Sequence, residues 1–214
     1  MESPLEPWSA AACRRLFDPS QSDGKPPRSK VLSSRAMPHH YPQETILRDG
    51  RKVLLRPFTE KDVDALYEFF QRLPVAYRRF AWDSIENRAV VQRWGREIDY
   101  GKALPILALD GNRIVADATL HRRKRGPLRL VGRIKWMIDP AFRGVGLGTL
   151  LVNHFIDVGR DNGLRHLNCM LISDLEADAV KTLEHLGFVS YVMPGYGTDP
   201  DGDQHDMTKL VLKL

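Results

Sequence analysis

The stretch AFRGVGLGTLLVNHF, Ala141–Phe155, decides how this chain is read. Three glycines, Gly144, Gly146 and Gly148, alternate behind Arg143. An apolar pattern at helical spacing follows at Leu150, Leu151, Phe155, Ile156 and Val158. A helix that opens on glycines presents unpaired backbone N–H groups and the positive end of its dipole, with no side chains to hold a ligand away. The natural ligand is a phosphate or pyrophosphate. A nucleoside-triphosphate loop would end in Gly-Lys-Ser/Thr, whereas Gly148 is followed by Thr149 and Leu150. A dinucleotide loop would follow its strand directly and place an acid at the end of a strand about 20 residues on. Here Pro140 and its neighbours separate the glycines from the strand ending in Ile138, and only the turn RDNG (160–163) stands at that later position. A glycine-rich turn that binds nothing is the bland alternative.

The flanking segments supply the fold. RKVLLRPF (Arg51–Phe58) alternates as a strand, and Thr59 caps a helix with acids in its first turn and apolar Val63, Leu66, Phe69 and Phe70. NRAVVQRWGREI (Asn87–Ile98) reads as a second helix. Three strands follow: LPILALD, RIVADATLHR and LVGRIKWMI. They are joined at Asp110-Gly111-Asn112 and near Arg125-Gly126-Pro127, as an antiparallel meander. After the glycine-led helix come a strand (His166–Ser173), a helix stopped by Gly187, and final strands VSYVM and MTKLVLKL. The expectation is an α/β (α+β) fold: one domain over 43–214 with a mixed, mostly antiparallel central sheet flanked by helices. Residues 1–42, rich in Pro, Ser and Arg without periodicity, read as a disordered tail.

Composition narrows the function classes. The net charge of +5 is concentrated in HRRKRGPLRLVGR (His121–Arg133), where Arg122, Arg123, Lys124, Arg125, Arg129 and Arg133 face no acid. The remainder is close to neutral, and no aromatic interleaves the basic run, so a nucleic-acid partner is disfavoured. No apolar run approaches the roughly 20 residues of a membrane helix. The two cysteines, Cys13 and Cys169, lie far apart, so the expected compartment is the reducing cytoplasm.

Arg143-x-x-Gly146-x-Gly148 resembles the acyl-CoA pyrophosphate loop of the GNAT acyltransferase superfamily. In that family the loop also joins the fourth strand to the third helix, and a later helix ends in Gly-Phe, here Gly187-Phe188. Within the superfamily, LRDGRKVLLRPFTEKD and the FFQRLP…RRF segment are similar to the GNAT domains of bacterial protein-lysine acetyltransferases. The resemblance implies acetyl-CoA as co-substrate, in a V-shaped opening between the fourth and fifth predicted strands. The pantetheine arm would lie along Met137, Ile138 and Asp139. The pyrophosphate would sit on N–H groups of Arg143, Gly144, Val145, Gly146, Leu147, Gly148 and Thr149. It also implies an amine acceptor: a protein lysine, with a small primary amine as the alternative, attacked directly in a ternary complex. Arg125 or Arg129 is expected to reach a cofactor phosphate, to attract an acidic protein substrate, or to be a solvated tip.

Two residues that the family often supplies are absent. Arg133 stands where many members carry a glutamate base, and Leu183 where many carry a tyrosine acid. A non-catalytic domain that senses acetyl-CoA is therefore a second class of reading. The candidate bases are Asp117, which interrupts an apolar strand, and Glu176, which follows the fifth predicted strand; His121 titrates in a useful range. Asp117 is expected nearly opposite Lys135, where a structural ion pair would explain it as well. Glu176 could instead favour a helix start. The acid-rich GYGTDPDGDQHD (Gly195–Asp206) lacks the distal glutamate of an EF-hand. It reads as a solvated loop that borders the acceptor site and selects a cationic substrate.

Overall fold

A computed structural model describes residues 41–214; residues 1–40 of the expected tail, Cys13 among them, lie outside the described residues, while Tyr41 of that tail packs against the core. Eight strands form one sheet in the order β1-β2-β3-β4-β5-β6-β8-β7. The strands are β1 Gln43–Ile46, β2 Lys52–Pro57, β3 Ala103–Asp110, β4 Arg113–His121, β5 Val131–Ile138, β6 His166–Ile172, β7 Val189–Thr198 and β8 Gln204–Lys213. The helices are α1 Val63–Arg72, α2 Val75–Arg78, α3 Arg88–Arg96, α4 Leu147–Asp161 and α5 Ala177–His185. All strand pairs are antiparallel except β5 with β6. The fourth predicted strand is thus β5, and the fifth is β6.

Strand alternation in β3–β5 builds two cores. Leu104, Ile106, Ala118, Leu120, Ile134 and Ile138 share one with Leu147, Leu151 and Phe155 of α4. The other joins Leu107, Leu109 and Ile114 to Leu66, Phe69 and Phe70 of α1 and Val91 of α3. The turn before α1 is fixed by a carboxylate. Asp62 accepts the N–H and hydroxyl of Thr59 at 2.9 and 2.7 Å and a two-pronged bond from Arg56 at 2.6 and 2.7 Å.

Three expectations are corrected. Asp117 pairs with Met137, and Lys135 with Thr119, because the β4–β5 register closes one residue further along than a turn at 125–127 implies. Lys135 instead bonds Asp83 at 3.0 Å. The basic hairpin cannot serve a phosphate at the glycine loop. Arg122 bonds Asn162 at the C-terminal end of α4, at 2.6 Å, and α4 is 15 residues long, about 22 Å at 1.5 Å per residue. The acid-rich segment is solvated, as expected, but only residues 199–203 of it are loop. It completes β7 and β8 around a tight turn in which Asp199, its side chain 6% exposed, accepts the N–H groups of Asp201 and Asp203 at 2.9 Å.

Candidate active site

The site begins where β5 and β6 part. They pair only through Val131–Arg133 and His166–Asn168. Beyond Arg133 the rest of β5 has no partner strand on that side, while β6 continues along β8 to Ile172. Asp139 N–H bonds Val115 O of β4, and successive residues of a strand point their N–H groups to opposite sides. The N–H groups of Trp136 and Ile138 therefore face the gap. Met137 directs its backbone to β4, and Ile138 sends its side chain into the α4 core.

At the mouth of the gap stand the glycines. Asp139 and Pro140 start a short 3-10 turn (Pro140–Phe142), with the Asp139 carboxylate accepting Ala141 N–H at 3.0 Å. The chain then turns through Gly144 at φ 73° and Gly146 at φ 93°, left-handed values that side chains other than glycine strain to adopt. The helical ladder opens with Leu150 N–H on Gly146 O, which leaves Leu147, Gly148 and Thr149 N–H groups without a helical acceptor. A Cβ on Gly148 would meet only Ile138 Cδ1, at 3.5 Å, so the protein's own packing does not demand glycine there. Arg143, Gly144, Val145, Gly146, Leu147, Gly148 and Thr149 thus stand at the mouth of the gap, with the Arg143 N–H bonded to Pro140 O at 3.2 Å.

The structure adds Arg48 to this set. Its N–H holds Val145 O at 3.1 Å, and its side chain lies 3.4 Å from where a Gly146 Cβ would be. Arg51 props the loop from beneath, donating to Ala141 O at 2.8 Å and stacking 3.7 Å above the Phe142 ring centroid. Both arginines sit on the β1–β2 turn, a hairpin whose four-residue first strand carries no apolar signal.

On the opposite face of the sheet, Asp117, Thr119 and His121 of β4 lie beside Met137, Lys135 and Arg133 of β5. Burial at the cleft floor pushes the Asp117 carboxyl up to about 7; Asp83 adds to the rise and Lys135 opposes it. Among the described residues no group donates a hydrogen bond to that carboxyl. Burial, then Lys135 and Arg133, push His121 down to about 4, leaving a neutral imidazole of low basicity. Arg133 packs its guanidinium 4.9 Å from the Trp82 ring centroid.

Glu176 does not cap α5. Its carboxylate accepts Ile172 N–H at 2.8 Å and so secures the end of β6. Burial raises its pKa against that bond and the nearby Arg143. Leu183 is 1% exposed in the α4 core. Arg79 bonds Asp199 at 2.8 Å and also Asp201, which ties the α2 segment to the tip of the β7–β8 hairpin. His205 stacks edge-on to Phe80 beside that tie. Burial pushes the Cys169 thiol up to about 12.

A sheet split between a parallel strand pair, with a glycine-led helix at the mouth, defines an acyltransferase class of architecture. The family model for the acetyltransferase (GNAT) domain matches residues 52–189, and the chain belongs to that family. An acetyltransferase of Pseudomonas aeruginosa is 31% identical over 136 residues, 56% of this chain and 67% of that protein. The GNAT domain of Streptomyces lividans PAT superposes with a TM-score of 0.68 at 19% identity, over 83% of this chain and 99% of that one. Salmonella typhimurium yncA, solved with its cofactor acetyl-CoA, does so with a TM-score of 0.64 at 20% identity, over 76% and 94%. Among the described residues, no helix is long and apolar enough to cross a membrane.

Proposed function

We propose that this protein transfers the acetyl group of acetyl-CoA to a primary amine, a protein lysine before a small amine, by direct attack in a ternary complex. The observation that carries this reading is the open β5 edge with three glycines at its mouth. Pantetheine amides suit the free edge of a strand, and a pyrophosphate suits N–H groups from Gly144 to Thr149 with Arg48 above them; the Arg143 N–H is taken by Pro140 O at 3.2 Å. The acetyl-CoA bound by the Salmonella relative supports the same donor.

Chemistry needs a neutral amine, and a free lysine titrates near 10.4. Asp117 is assigned as the base: it sits one strand from the open edge, and a carboxylate that titrates near 7 takes a proton far better than one near 4. Glu176, with its carboxylate held by Ile172, is assigned to shaping the cleft. The Trp136 N–H is placed to stabilise the oxyanion as the amine adds to the thioester carbon. The high thiol pKa of Cys169 argues against an acyl-cysteine relay.

A protein acceptor is favoured by the cleft mouth. Trp82, Leu175 and Tyr196 are exposed there, beside Asp174, Asp201 and Asp203, a surface suited to a cationic, partly apolar segment. The cysteine usage supports a cytoplasmic residence. The test is CoA release from acetyl-CoA with lysine-rich proteins, peptides and small amines, beside calorimetric titration of acetyl-CoA. Turnover on protein lysine is expected. Turnover on small amines alone overturns the acceptor; binding without turnover makes the domain a sensor; no binding overturns the whole reading.

A further inference from the structure

Direct transfer leaves one proton unassigned: the one the departing sulfur must take up. Tyr77 reaches the gap from α2, on a different element from any residue singled out in the sequence. Its hydroxyl oxygen accepts Ile138 N–H at 3.4 Å, a long bond at the β5 edge itself. The hydroxyl's own proton is not spent on that contact, and among the described residues nothing accepts it. The Arg143 guanidinium lies 4.1 Å from the ring centroid. The other groups at that place are unsuitable as acids. Arg143 is a permanent cation, Glu176 is held by Ile172 N–H, and Cys169 points its thiol into the α4 core.

Resting on the acetyl transfer above, we propose that Tyr77 is the general acid that protonates the leaving sulfur of CoA. The amine nitrogen bonds to the acetyl carbon, and the C–S bond breaks with its electron pair passing to sulfur. The phenol proton goes to sulfur and yields the CoA thiol. The tyrosinate regains a proton from the one the amine surrendered, carried by Asp117 and water. Arg143 beside the ring stabilises the transient phenolate. Burial raises the phenol's pKa, which keeps the proton in place between turnovers, while Arg143 and the Ile138 N–H pull the other way and keep it transferable.

Tyr77→Phe keeps the ring beside Arg143 and removes the hydroxyl, both its proton and its long contact with Ile138 N–H. The expected result has three parts. Calorimetric affinity for acetyl-CoA stays within about threefold. Turnover with acetyl-CoA falls by about 10², whereas turnover with an acetyl aryl thioester, whose thiol is far more acidic, falls less than about threefold because such a thiolate leaves unaided. Ultraviolet titration of the thiolate in the CoA complex gives a higher thiol pKa in the variant, by about one unit, since a phenol that hydrogen-bonds the thiolate favours it. Equal losses with both donors, an unchanged thiol pKa, or a binding loss above about tenfold would each overturn the assignment. Absence of wild-type turnover on every amine would instead overturn the transfer reading.

Discussion

Asp117→Asn should make this protein more stable and less active, and the two effects have one cause. Burial at the cleft floor lifts the carboxyl from 3.8 to about 7. At 1.36 kcal/mol per unit, ionising it in the fold costs at most about 4 kcal/mol; water in the cleft screens part of this, leaving about 2 kcal/mol. The folded state holds this proton more tightly than the unfolded chain does. Wild-type stability contributed by this group is therefore full below about pH 4 and is lost as pH rises through about 7. Asparagine removes the loss. Lys135 keeps its Asp83 partner, so no cation is orphaned. At pH 8 the variant should melt about 4–8 °C higher than wild type, and near pH 4 the two should coincide. CoA release should fall by about 10²–10⁴, and the rise in wild-type rate through pH 7 should vanish. The measurements are thermal scans from pH 4 to 9 and steady-state CoA release over the same range. A variant that is less stable at pH 8, or one that keeps wild-type turnover, would refute both the buried-carboxylate argument and the base assignment.

Four further substitutions test three separate parts of the structure. Gly146→Val forces a β-branched residue to φ 93° under the Arg48 side chain, so calorimetric acetyl-CoA affinity should drop at least about tenfold; Gly144→Ala, at φ 73° in open space, should weaken it less. Asp62→Ala orphans Arg56 and the Thr59 turn and should cost about 2–4 kcal/mol in urea unfolding at pH 7. Because the folded Asp62 pKa is depressed, its contribution is present above about pH 4 and fades as pH falls through the folded value, so the variant should lose that part of the acid sensitivity. Arg79→Ala unties the hairpin tip and should raise the KM for a protein acceptor several-fold while acetyl-CoA affinity holds within about twofold; equal change in both would refute a role confined to the acceptor side.

Most elements were legible because each carried its own period. The helix from Leu147 and the strands from Ala103 to Ile138 state their faces in every second, third or fourth residue, and the observed bounds lie close to those expected. Elements held by other means were not legible. Strand β1 pairs through its backbone, α2 is a four-residue turn, and the Asp199 turn is held by carboxylate-to-backbone bonds, so none shows an apolar rhythm. The departures at Arg133 and Leu183 were visible as missing side chains, but what stands near the gap instead was not.

The sequence by itself determined most strands of the sheet, the main flanking helices and the glycine-led opening of α4, because glycine spacing and hydrophobic alternation are local properties of the chain. Tertiary structure alone decided which side chains meet in the cleft. A strand register settles two residues at a time whether Asp117 faces Met137 or Lys135, and a hairpin's direction places the basic run at the far end of α4. Contacts between residues dozens of positions apart, such as Tyr77 with Ile138 and Arg79 with Asp199, arise only when the packed cores bring their elements together.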